Sequence, residues 1–226
     1  LINGARAAGG LYSFQVQNSI NYQGWGLPKL NNTLPPGITN AISHSGEASM
    51  QLFDQSPARA LATGQSQTRS LAINEAGRNV PLRVTLVWTD PPGNPVAGVK
   101  LVNDLDLVVT NLTTGEVFFG NDIPVSSTFT FPWETNTPPN VDSINNVENV
   151  YLAPALGTNY SITVVGRRVN VNAVTAQTNN VVQDYALVIS SGNGEVTNAL
   201  ALTEQPLAAV TVPYLTPVTN ALAANT

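Results

Sequence analysis

The chain has no cysteine. Disulfides, thiolate metal ligands and a cysteine nucleophile are therefore excluded, and the redox compartment is left open. There is one histidine, His44, in the polar segment ISHSGEAS (42–49). A Ser-His-Asp site needs a base aligned by a carboxylate, and a lone histidine in a polar segment reads as a solvated loop residue. Zinc is disfavoured because its usual ligands are nearly absent. Positive charge is scarce, with 9 Lys and Arg against 14 Asp and Glu and a net charge of −5. This is not the basic footprint of a nucleic-acid partner. No apolar run approaches the roughly 20 residues of a membrane span, and no signal peptide is visible.

A chain that is 42% hydrophobic and 10% charged, at 226 residues, has the means to bury a core. Its abundant Asn, Thr, Gln, Ser and Pro suit a secreted protein. The pattern is that of strands. Leu82, Val84, Leu86 and Trp88 alternate on one face, and Leu105, Leu107 and Val109 on another. Further candidate strands occupy 49–55, 67–73, 116–120, 147–153, 160–169 and 182–191, with a hairpin turn at Thr113–Thr114–Gly115. About eight short strands with Pro, Gly and Asn turns predict an all-β, two-sheet β-sandwich of jelly-roll type.

Three pieces are expected. Residues 1–48 read as an N-terminal arm, in which Leu1 and Ile2 resemble the last turn of a helix stopped at Gly4. Trp25, between Gly24 and Gly26, is a large apolar anchor. Residues 49–192 form the β-sandwich. Residues 193–226, rich in Ala, Thr and Pro, read as a tail or linker, or as an added edge strand near 208–212.

The carboxylates suggest a metal site. Asp104 and Asp106 lie two apart on a strand and share a face. Two like charges on one face repel unless something neutralises them. The long loop 121–146 opens with Asn121–Asp122 and leads into Asp142, Asn145, Asn146 and Glu148. A loop of that length inside a compact domain tends to be functional. Calcium, a hard ion taking 6–8 oxygens, suits such a set; the bland alternative is solvated surface acids. Asp90, beside Pro91–Pro92–Gly93, reads as a turn former with a ligand role open. Phe129, Phe131 and Trp133 in the loop are either buried anchors or an exposed aromatic platform. The latter would make the chain an independent carbohydrate- or protein-binding module, and fold alone does not decide. Paired-carboxylate glycosidase chemistry has no specific support.

Six segments, taken in order, carry a family resemblance: NYQGWG (21–26), LRVTLVWTDPPG (82–93), VKLVNDLDLVVT (99–110), FFGNDI (118–123), NNVENVYL (145–152) and YALVISS (185–191). Together they resemble the C-terminal part of subtilisin-like serine proteases, in particular bacterial alkaline subtilases with an appended β-barrel domain of jelly-roll type. The resemblance covers roughly residues 1–192. It implies a secreted parent endopeptidase with its catalytic Asp, His and Ser upstream. No DSG-like, HGT-like or GTSMA motif occurs in this chain. The resemblance thus implies a non-catalytic domain that stabilises a subtilisin-like catalytic domain, joined in cis or as a nicked partner, and shapes the access of a polypeptide substrate. It also implies calcium, carrying over best to Asp104, Asp106 and Asp122. Asp142 and Glu148 are weaker matches, because the loop sequence ETNTPPNVDSI departs from the family pattern.

Overall fold

The computed structural model describes residues 1–8, 24–33, 47–48, 50–174, 180–191 and 196–197. His44, Ser45, Ser49 and the possible strand at 208–212 lie outside the described residues.

The described chain is a two-sheet antiparallel sandwich. One sheet contains β1 (Glu47–Ala48), β3 (Ser66–Ile73), β5 (Asp104–Asn111), β6 (Val117–Phe119), β8 (Asn159–Arg168) and β10 (Val196–Thr197), in the order β1-β10-β3-β8-β5-β6. The other contains β2 (Met50–Asp54), β4 (Leu82–Val87), β7 (Val147–Leu152) and β9 (Ala186–Ser190), in the order β2-β9-β4-β7. Apart from the β5–β6 hairpin, each connection from β2 to β9 changes sheet. That wrapping is the jelly-roll pattern.

The core follows from the alternation. Leu82, Val84 and Leu86 of β4 and Leu105, Leu107 and Val109 of β5 are all 0% exposed and belong to one apolar cluster with Val150, Ile162, Leu187 and Ile189. The hairpin is held by Asn111, whose side-chain oxygen accepts the Thr113 N–H at 3.0 Å, while Gly115 turns with φ +79°. Asp90 makes no local turn; its two oxygens accept the N–H groups of Asn103 at 2.7 Å and Val102 at 2.9 Å, closing the excursion between β4 and β5.

Two strands come out shorter than the pattern suggested. β4 ends at Val87, and β9 begins at Ala186. Before β9, Gln183 instead makes an isolated bridge with Leu61. The first residues form a tight turn, with the Gly4 N–H donating to Leu1 O at 3.1 Å.

The loop 121–146 closes one side of the sandwich. β7 is an edge strand, and its outward main-chain groups are met by the loop. Asn121 donates its N–H to Asn149 O (2.8 Å) and accepts the Asn149 N–H on its side chain (2.9 Å). Thr130 repeats the arrangement at Tyr151, donating its N–H at 2.7 Å and accepting through Oγ1 at 3.1 Å. The Trp133 N–H reaches Val117 O on β6 at 2.7 Å. An edge left open would invite foreign strands; here the loop occupies it.

Candidate metal centre at the loop-covered edge

Asp104, Asp106, Asp142 and Glu148 are each buried to within 2% exposure. Such acids are almost never buried without partners.

Glu148 lies opposite Leu86, in the inward row that continues with Val150 and Leu152. It is a carboxylate placed in an apolar row. β6 ends at Phe119, which leaves the Leu107 N–H without a ladder partner, and Glu148 Oε2 accepts it at 2.6 Å. Gly120 makes room: a Cβ there would sit 2.1 Å from Glu148 Oε2. Glu148 Oε1 has no hydrogen-bond partner.

Asp106 Oδ2 accepts Arg167 Nε at 2.7 Å, and Asp104 Oδ2 lies 3.9 Å from Arg168 Nη2. Adjacent residues of a regular strand point to opposite faces, yet both arginines meet acids that share one face. The reason is a register shift. Asp104 pairs with Arg168 but Leu105 pairs with Gly166, so Arg167 is the extra residue of a bulge and is re-aimed. Asp104 Oδ1 and Asp106 Oδ1 remain without partners.

Asp142 is differently placed. Its Oδ2 accepts the amides of Asn121 (2.6 Å) and Asn145 (2.7 Å), and its Oδ1 accepts the Ile144 N–H at 2.8 Å. It ties the end of the loop to its beginning. Asn121 stands in the left-handed region with φ 58°, a conformation asparagine tolerates. Asp122, half-buried, turns away to accept Asn140 Nδ2 at 2.9 Å.

The electrostatics follow. Burial pushes the Asp104 carboxyl up to about 7, with Asp106 adding to the rise and Arg167 and Arg168 opposing it. Burial also raises Asp106, opposed by Arg167. Glu148 is raised well above the usual carboxylate range by burial and then by Asp106. Asp122 is raised by burial and held back by Asn140. Four carboxylates facing two guanidinium groups leave two negative charges, and three buried carboxylate oxygens accept no hydrogen. Protons or a divalent cation would answer both. Among the described residues, no three Asp, Glu or His side chains form a ready-made metal shell. A cation here would have to draw also on amide and main-chain oxygens, as calcium does.

Of the five acids expected as ligands, then, Asp104, Asp106, Asp142 and Glu148 share one electrostatic cluster. Asp122 stands apart. Asn149, Arg167 and Arg168 were not anticipated. The adjacent arginines on a strand were the visible signal, but the bulge was not.

A second polar network lies on the outer face of β4, β7 and β9. Asn3 is 4% exposed. Its Nδ2 donates to Thr85 Oγ1 (3.1 Å), Arg83 O (3.3 Å) and Val188 O (3.4 Å), and its Oδ1 accepts Ser190 Oγ at 2.6 Å. Arg83 donates to Asn3 O at 3.1 Å and to Ala5 O, and its guanidinium lies 4.4 Å from the Tyr151 ring centroid. Arg6 pairs with Leu27, and Trp25 packs with Phe129 against Ala7, Ile123 and Tyr151. Residues 1–8 and 24–33 thus sit on the sandwich. Of the loop aromatics, Phe129 is anchored there and Trp133 makes an edge contact with Phe119 at 5.8 Å; Phe131 is exposed.

No family model matches the chain. Three proteins of Dictyostelium discoideum are similar to it. Serine protease/ABC transporter B family protein tagA is 26% identical over 185 residues, 80% of this chain and 9% of that protein. The tagB protein of the same description is 25% identical over 197 residues, 80% of this chain and 10% of that protein. The tagD protein is 39% identical over 100 residues, 42% of this chain and 5% of that protein. The chain spans a tenth or less of the length of these relatives. Their names point to a protease-related family.

Proposed function

We propose that this chain is the non-catalytic C-terminal β-domain of a secreted subtilisin-like serine endopeptidase. Its role is to stabilise the catalytic domain, shape access of polypeptide substrates to the cleft, and hold a calcium ion at the loop-covered edge. Residues 1–48 belong to the catalytic-domain side of the junction, 49–192 are the β-domain, and 193–226 are a tail or linker. Relatives named as serine proteases favour a protease parent. The docking reading is favoured by Asn3, whose side chain is consumed by β4 and β9. Trp25 is favoured as an anchor by its contact with the Tyr151 cluster.

The observation that carries the calcium reading is the trio of buried carboxylate oxygens without partners, on Asp104, Asp106 and Glu148. When bound, calcium would supply positive charge and cross-link β5 to β7. Asp104, Asp106 and Glu148 would hold it, with Asp142 setting the loop around them. A ligand that binds only the folded state raises stability by mass action. Calcium should therefore raise the melting temperature of the purified chain, and Asp106→Ala should remove that rise. An equal loss in calcium and in chelator would refute the metal role. The same preparation is expected not to cleave peptides; cleavage blocked by a serine-directed inhibitor would refute the non-catalytic assignment.

A further inference from the structure

The segment 1–8 carries a reactive dipeptide that the fold holds inert. Asn3 is followed by Gly4. Next to a residue without a Cβ, the backbone is free to bring the following amide nitrogen onto the asparagine side chain and close a succinimide. Asn-Gly is therefore the dipeptide in which asparagine, a thermolabile residue, loses its ammonia most readily.

Packing demands both residues. A Cβ on Gly4 would collide with Thr33 Oγ1 and lie 2.8 Å from Asn32 O. Asn3 is needed for its amide, which donates to Arg83 O, Thr85 Oγ1 and Val188 O and accepts from Ser190 Oγ. While the segment is docked, ring closure is blocked at both ends. The Gly4 N–H is given to Leu1 O, and the Asn3 side chain is held on β4 and β9. The grip on the segment is nevertheless polar. Of residues 1–8 the buried apolar side chains are those of Ala5 and Ala7, whereas Leu1 is 76% exposed. A segment with so little buried apolar surface opens locally at lower cost than the two sheets unfold.

We propose that Asn3–Gly4 is a deamidation site gated by docking: closed while residues 1–8 lie on the sheet, reactive once they leave it, and converted there to a carboxylate that cannot return. Gly4 N gives up its proton and bonds to Asn3 Cγ, the Cγ–Nδ2 bond breaks, and ammonia leaves. Water then opens the imide at either carbonyl, giving aspartate or isoaspartate. The new carboxylate has no hydrogen to offer Arg83 O or Val188 O. Thr85 cannot donate to it, because its hydroxyl hydrogen already goes to Asn149 Oδ1 at 2.7 Å. Arg83 is committed to the carbonyls of Asn3 and Ala5. A buried charge set among acceptors is strongly unfavourable, and isoaspartate also adds a main-chain carbon to the Leu1–Gly4 turn. Release of the segment thereby becomes one-way. This inference rests neither on the protease parentage nor on the calcium reading.

The test incubates the full chain and a capped peptide of residues 1–8 side by side at mildly alkaline pH. Conversion is read by mass on the fragment holding residues 1–8, so that Asn193, which also precedes a glycine, does not contribute. Asn3 in the chain should convert at least about tenfold more slowly than in the peptide, by the opening equilibrium. Ser190→Ala, which removes one bond from the docked state, should convert about fivefold faster than wild type. Asn3→Asp, the product made directly, should leave residues 1–8 open to a protease that spares them in wild type, with the main thermal transition retained. Conversion of the wild-type chain at the peptide's rate would deny the gate. An Ser190→Ala chain that converts no faster than wild type would deny that undocking is the reactive step. Protection of the Asn3→Asp segment equal to wild type would deny that release is one-way.

Discussion

Replacing Asp104 by asparagine separates a metal site from an incidental burial of acids, because the sign of its effect should invert with calcium. Asp104 is 2% exposed and one of its oxygens is unpartnered. Its carboxyl is raised from 3.8 to about 7, mainly by burial. Ionising it in the folded state without a cation therefore costs about 4 kcal/mol more than in the unfolded chain. The folded state binds the proton more tightly, so this stability is fully present below the unfolded pKa near 4. It is lost as pH rises through about 7. In chelator, wild type should lose stability relative to Asp104→Asn across that window, reaching about 4 kcal/mol at pH 9. For a domain of this size that is about 8–16 °C in melting temperature. In millimolar calcium the order should reverse, since the wild-type charge then meets a cation and the amide does not. Thermal melts at pH 4, 7 and 9, each in chelator and in calcium, give the six comparisons needed. An asparagine variant no more stable than wild type at pH 9 in chelator would refute the burial argument. Equal stabilisation of both proteins by calcium would place the ion elsewhere.

Gly120→Ala puts a methyl 2.1 Å from Glu148 Oε2 and 2.7 Å from its Cβ, so Glu148 must leave the Leu107 N–H. The expected loss is about 2–4 kcal/mol by denaturant unfolding, combining overpacking with an unsatisfied buried donor, together with a weaker calcium response; an unchanged midpoint would mean that the corner relaxes freely. Asn3→Ala strips four hydrogen bonds from the outer face of β4 and β9. It should cost about 2–3 kcal/mol, shift Trp25 emission to the red and expose residues 1–8 and 24–33 to limited proteolysis. A double-mutant cycle with Ser190→Ala should show coupling; strict additivity would deny the contact.

Much of the fold was legible because strand periodicity is a local signal. The rows Leu82–Val84–Leu86 and Leu105–Leu107–Val109 place the core without knowledge of any partner. The hairpin at Thr113–Gly115 is equally local, written in residues that bond their own neighbours; Asp90 instead bonds Val102 and Asn103, 12 and 13 positions on. The pairing of Asp104 with Asp106 was legible for the same reason, since alternation places them on one face.

The rest needed contacts distant along the chain. The family pattern ranked Asp122 above Glu148, but the structure sets Glu148 in the acidic cluster and turns Asp122 toward Asn140. Glu148 is poised by the place where β6 happens to stop, which opens the Leu107 N–H to it. Arg167 meets Asp106 through a one-residue bulge that no periodic reading contains. Asn3 is an ordinary turn residue in the sequence; its burial depends on strands some 80 and 185 positions away.

The amino-acid sequence by itself determined that the chain builds strands, which face of each is apolar, and which acids stand side by side on β5. Alternation and turn chemistry act between neighbours, and neighbours are what a sequence records. Only the tertiary structure decided which charges are neutralised and which oxygens are left over, because burial and pairing depend on register, on bulges and on the path of a long loop between two sheets.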